Sequence, residues 1–254
     1  MPGLRSYADA LLLAETIVLL GLLVRLVATG LQRVYPFFFS FVAAETIQLL
    51  VPYFTSYKSV WYGYAYVATE SVIVCLYALI VLELYAKVFG SLTGIAALSR
   101  RYIKLALCIA ILASLLLLIL ENTPETLVGK FLIFRRAIVS SLLLFVFLMT
   151  AFLVYFPIPL NRNVLVYFIG YAFYFLGISA ALFARNIGVT QTPLVNTILL
   201  VITTSSFLSW ILFLNRDGER KAVTFGHRWD RGDEARLLQQ LESINAALLR
   251  TSRK

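Results

Sequence analysis

The chain has 254 residues, of which 61% are hydrophobic and 14% charged, with a formal net charge of +9. Soluble domains are nearer half apolar and a quarter charged, so this balance, with a mean hydropathy of +0.87, excludes an ordinary globular enzyme. It points to an all-α, polytopic membrane protein, in which each apolar run of about 18 residues or more reads as one crossing.

Seven such runs follow in chain order, at 8–29, 35–55, 61–88, 102–121, 132–156, 162–183 and 194–214. The first has Asp9 in its leader and no small-x-small cleavage site, so it is expected to stay as a helix rather than leave as a signal peptide. It carries Glu15 among Leu11, Leu12, Leu19 and Leu22, and any partner for that carboxyl must come from another helix. The second run places Glu45 and Gln48 on one face, ahead of Pro52. In the third, Tyr62, Tyr66, Glu70 and Tyr77 form a polar stripe at helical spacing. Glu83 and Lys87, four residues apart near its end, read as a local surface pair.

Cys75 lies in the third run and Cys108 in the fourth, so a disulfide framework is not indicated. The fifth run contains "FLIFRRAIV", which sets Arg135 and Arg136 at the depth where the stripe begins. The expected ion pairs are Glu70–Arg136 or Glu15–Arg135. Pro157 and Pro159 end this run and fix the turn that follows. The sixth aligns Tyr167, Tyr171 and Tyr174, and has a small face of Gly170, Gly177, Ala181 and Ala184 suited to close packing. The seventh aligns Asn196, Thr203, Ser206 and Trp210. Aromatic rings at run ends (Tyr35, Tyr53, Tyr57, Trp61, Tyr62, Tyr64, Tyr66 and Trp210) read as an interfacial belt.

Of the 22 Lys and Arg residues, only Arg5, Lys58, Lys130, Arg135, Arg136 and Arg185 fall on one side when the sides alternate. The positive-inside rule then favours N-terminus out and C-terminus in. The basic excess is a topology signal, and no nucleic-acid partner is expected.

A carboxylate near mid-bilayer costs on the order of 3 kcal/mol, so it faces the bundle interior. Glu15, Glu45 and Glu70 reach overlapping depths at 1.5 Å per helical residue. With Tyr66, Tyr77, Gln48, Tyr171, Tyr174, Asn196, Thr203 and Ser206 they are the candidate ligand or proton residues. Three readings stand: interhelical glue worth roughly 1 kcal/mol per contact, a ligand- or proton-responsive site, or an ion path. "AETI" occurs at 14–17 and again at 44–47. The two helices run in opposite directions, and compositional chance explains the match better than an inverted repeat.

The last run has no lysine for a retinal Schiff base, and the only histidine, His227, lies beyond it. No mid-span Asp, Gly-rich phosphate loop or CxxC pair occurs. No cofactor, metal site or catalytic residue is expected.

The division is 1–214 as the transmembrane domain, 215–232 as a charged, Gly-containing linker, and 233–254 as an amphipathic helix capped by Asp233. Leu237, Leu241, Ile244 and Leu248 form a heptad seam too short for a strong isolated coiled coil. Docking on the bundle, or pairing with a second copy or another protein, is favoured over lying on the bilayer, because Glu234 and Glu242 dilute the basic face. The tail residues Leu237, Leu238, Gln240, Leu241, Ile244, Asn245, Leu248, Leu249, Arg250, Arg253 and Lys254 resemble the short terminal helix of bacterial orphan seven-helix membrane proteins. The tail is also similar to the connecting helix that leaves membrane sensor modules. The expectation is a non-enzymatic, sensor-like or assembly module. The alternatives are a small proton- or cation-coupled transporter or channel, and a subunit of a larger complex.

Overall fold

The computed structural model describes residues 2–54, 60–90, 112, 127–156, 158–186, 192–224 and 231–252. The run at 102–121 lies outside them apart from Leu112, as do Cys108 and Pro157. The described helices are α1 (Pro2–Thr29), α2 (Pro36–Phe54), α3 (Val60–Phe89), α4 (Leu127–Tyr155), α5 (Arg162–Asn186), α6 (Thr192–Phe213) and α7 (Arg231–Ser252).

Five of them contain segments long and apolar enough to cross a membrane: Ala10–Thr29, Trp61–Phe89, Phe131–Tyr155, Arg162–Ala181 and Leu194–Phe213. In α2 the corresponding apolar stretch, Pro36–Val51, is shorter. The chain therefore folds as a helical membrane bundle.

Local chemistry sets the breaks. Gly30 ends α1 with φ at 73°, a left-handed conformation that glycine adopts without strain. Pro36 opens α2 at the first helical position, where its missing N–H leaves no bond unmade. The hydroxyls beside the three glutamates are spent within their own helices. Thr16 donates to Leu12 O at 2.8 Å, Thr46 to Val42 O at 2.7 Å and Ser71 to Val67 O at 2.7 Å. Each Glu of an "ET" or "ES" pair is then left to find partners across the bundle.

The best-packed neighbours are α5 with α6, α2 with α3, α1 with α6, and α4 with α5. Glycines let α5 and α6 approach. A side chain on Gly170 would run into the Trp210 indole, and one on Gly177 into Ile202. Two members of the expected small face, Gly170 and Gly177, are thus in use.

The core is aromatic. Tyr35, Phe38, Phe41, Tyr77, Tyr167, Tyr171, Tyr174, Phe175, Phe207 and Trp210 are all buried. Trp210 stacks 4.7 Å from Tyr171 and 5.0 Å from Phe38. Two members of the expected interfacial belt, Tyr35 and Trp210, are therefore core residues; neighbouring helices close over them. Trp61, 77% exposed, and Tyr64 remain at the surface.

We call the end where α1 begins the near end, and the end where it finishes the far end. At the far end the expected linker is structured over its first ten residues. A 3-10 turn, Arg216–Glu219, leads into strand β2 (Ala222–Thr224), which pairs antiparallel with β1 (Pro159–Asn161). Asn163 Nδ2 donates to Asn215 O at 2.6 Å and to Glu219 Oε1 at 2.7 Å. Tyr35 donates to Glu219 Oε1 at 2.7 Å. Arg25 donates twice to Leu214 O, at 2.9 and 3.2 Å, satisfying a carbonyl that the end of α6 leaves open. These groups form a clasp over the far end. The charged composition of the segment hid it: Arg216, Asp217, Arg220 and Lys221 are exposed, and only Glu219 turns inward as a partner.

Glu83 is likewise not a surface group. It is 9% exposed and accepts from Tyr167 at 3.2 Å, while the Lys87 ammonium lies 4.5 Å over the Tyr35 ring. Helix α7 starts two residues ahead of the expected Asp233 cap. Along its seam Leu241 is 3% exposed and Ile244 is 46% exposed. Leu237 is partly buried, and the Leu248 side chain lies outside the described ones.

Candidate functional site

Three carboxyls from three helices meet around one cavity of about 370 Å³ in the near half of the bundle. Glu15 of α1, Glu45 and Gln48 of α2, and Tyr62, Tyr66 and Glu70 of α3 line it, joined by Arg135 of α4, Tyr174 of α5, and Asn196 and Thr203 of α6. Leu12, Leu49, Ile178, Leu199 and Phe207 fill the apolar parts of the wall. Six helices therefore contribute, and eight of the eleven candidate ligand or proton residues lie on the lining.

The connections differ for each carboxyl. Glu70 is 2% exposed and faces Arg135, with Nε 2.8 Å from Oε1. The contact is ionic rather than a well-aligned hydrogen bond. Gln48 donates a short hydrogen bond to the other Glu70 oxygen. Glu45 accepts from Tyr174 at 2.9 Å and, more weakly, from Tyr77 at 3.4 Å. Glu15 accepts from Thr203 at 2.7 Å. The second oxygens of Glu15 and Glu45 take no hydrogen bond among the described residues.

The expected ion pairs are thus replaced. Arg135, not Arg136, meets Glu70, and Thr203, not Arg135, meets Glu15. Consecutive helical residues point about 100° apart, so only one of the two arginines can aim at the stripe on α3.

Tyr77 stands just behind the cavity, linking Arg135 at 3.4 Å to Tyr174 at 3.0 Å. Two other candidates lie elsewhere. Tyr171 packs deep in the aromatic core, and Ser206 donates to Ile202 O at 2.9 Å within its own helix. Ser206 instead borders a separate groove, with Gly170, Phe173 and Ser209.

Charge is unbalanced at the cavity. Three carboxyls face one guanidinium, and in a low-dielectric setting each uncompensated carboxylate is costly. Protonation of a carboxyl, or a further positive charge beside it, would relieve that cost. Among the described residues no group of His, Cys, Asp and Glu is arranged to hold a metal ion.

The clasp residues Asn163 and Glu219 escape a reading of the sequence. Their one signal is that asparagine-containing turns, "NRN" at 161–163 and "NRDG" at 215–218, each adjoin an apolar run.

No protein-family model, curated protein or solved structure matches the chain.

Proposed function

We propose that the chain is a non-enzymatic, sensor-like protein of a bacterial inner membrane, and that the near-end cavity binds a small cationic solute. In this reading α2 and the run at 102–121 add two crossings to the five apolar helices, giving seven, with the near end outside and α7 in the cytoplasm. The weak resemblance of the tail to orphan seven-helix membrane proteins agrees with that topology. The observation that carries the binding reading is the excess of carboxyls at one cavity, with oxygens of Glu15 and Glu45 left open to a donor. An ammonium suits those oxygens, and the aromatic side chains of Tyr62, Tyr66 and Tyr174 line the same cavity. The volume falls in the range of small-molecule sites.

The test is thermal unfolding of the purified protein with n-butylammonium, tetramethylammonium or butyrate at constant ionic strength. The cations are expected to raise the midpoint of the native protein, and Glu15→Gln with Glu45→Gln to abolish the shift. Equal response to butyrate, or none to either cation, would remove the reading.

A second reading is assembly through α7, favoured by the exposure of Ile244 on the seam whose neighbour Leu241 is buried. It predicts a second copy or a partner seated on that seam. Native mass spectrometry of the full chain with and without Ile244→Glu decides it: a monomer in both cases excludes self-pairing.

A further inference from the structure

We propose that the bundle carries protons along a buried line of carboxyl and hydroxyl groups, from Glu45 at the cavity to Glu83 at the far end. The line has two hydrogen-bonded halves. In the near half, Tyr174 donates to Glu45 at 2.9 Å, and the Tyr77 and Tyr174 hydroxyls are 3.0 Å apart. In the far half, Tyr167 donates to Glu83 Oε2 at 3.2 Å.

Tyr171 stands between the halves. Its ring centroid is 6.1 Å from that of Tyr174 and 4.9 Å from that of Tyr167. The residue is fully buried; its hydroxyl has Tyr167 as its close side-chain partner in a poorly aligned contact, and Tyr77, Glu45 and Glu83 lie within its electrostatic reach. A buried hydroxyl held only by a poorly aligned contact recovers little of its desolvation cost of about 1–3 kcal/mol. Phenylalanine would give the same packing without that cost, so packing alone does not account for a tyrosine here. A hydroxyl free to turn toward either neighbour is what a relay needs at its midpoint.

The transfer balances. A proton taken up on Glu45 from the cavity passes to the oxygen of Tyr174 or Tyr77 as that group releases its own to Tyr171. Tyr171 releases one to Tyr167, and Tyr167 one to Glu83, which discharges at the far end. Each O–H bond broken is matched by one formed, and the hydroxyls then rotate back. Charged groups flank both termini. Glu15, Glu70 and Arg135 surround the entry at Glu45. Lys87, with Tyr35 and its partner Glu219, stands beside the exit at Glu83.

The inference does not rest on the cavity's ligand, and its test leaves that ligand out. Purified full-length protein is placed in vesicles with trapped pyranine, and a potassium gradient with valinomycin drives protons inward. Native protein is expected to acidify the lumen about ten-fold faster than protein-free vesicles, and Tyr171→Phe and Glu83→Gln to lose most of that rate. Tyr64→Phe, at the surface, serves as the unchanged control. Thermal midpoints identify folded variants, and Tyr167→Phe stands in if Tyr171→Phe does not fold. Native flux no faster than protein-free vesicles, or a folded Tyr→Phe variant conducting at the native rate, would overturn the proposal. Amine binding, measured without any gradient, is unaffected by either outcome.

Discussion

Arg135 and Glu70 face each other 2.8 Å apart, and because Gln48 holds the second Glu70 oxygen, the pair ties α2, α3 and α4 together at one point. Removing one partner of a buried ion pair leaves an uncompensated charge, which costs about 3–5 kcal/mol. Arg135→Gln is therefore expected to lower the thermal midpoint sharply. Arg135→Gln with Glu70→Gln should recover part of the loss. Circular dichroism melts of the two variants check this, and a double variant no more stable than Arg135→Gln alone would reject the assignment.

The α5–α6 contact depends on two missing side chains. Gly170→Ala drives a methyl into the Trp210 indole, and Gly177→Val drives a larger group into Ile202. Overpacking of this kind costs about 1–3 kcal/mol. Both variants should unfold at lower temperature, whereas Gly21→Ala, whose added methyl would meet Ile211 only at an ordinary 3.7 Å, should be near neutral.

Glu219 holds the far-end clasp through Tyr35 and Asn163. Glu219→Ala strands both donors, at about 1–3 kcal/mol for each buried group left unsatisfied. Hydrogen exchange is expected to speed up across 215–224 and to stay unchanged around the cavity. Slow exchange at Val223 in the variant would show that β1–β2 pairing alone holds the segment.

Tyr35 lies in the turn outside the apolar spans. Burial first, then the hydrogen bond to Glu219 and that carboxylate's charge, push its hydroxyl well above the usual tyrosine range. The folded state thus holds this proton more tightly than the unfolded chain does. The stability it contributes is full below about pH 10, the unfolded value, and falls as the pH rises beyond it. Melts from pH 8 to 11 should show this loss in the native protein and a smaller one in Tyr35→Phe.

Much of the architecture was legible because hydrophobic run length and helical period are local properties. Seven runs are readable, and six coincide with described helices, five of them long and apolar enough to cross. The gathering of Glu15, Glu45 and Glu70 was legible too, since depth follows from residue count. Which partner each takes was not. The choice between Arg135 and Arg136 depends on the rotation of α4, which periodicity alone does not give. Thr203 reaches Glu15 across 188 residues of chain. Glu83 was misread because an i, i+4 neighbour on its own helix is visible in sequence and Tyr167 on another helix is not. The clasp failed for the same reason: charge composition resembles a solvated linker until its partners are known.

The central claim is that the cavity holds a positive charge between Glu15 and Glu45. Isothermal titration of the native protein with n-butylammonium, repeated on Glu15→Gln, Glu45→Gln and the pair, tests it most directly. Saturable binding in the native protein, weakened about ten-fold by each substitution (1.4 kcal/mol) and lost in the pair, is the predicted result. Binding of equal strength in all four proteins, or none in the native one, would contradict it.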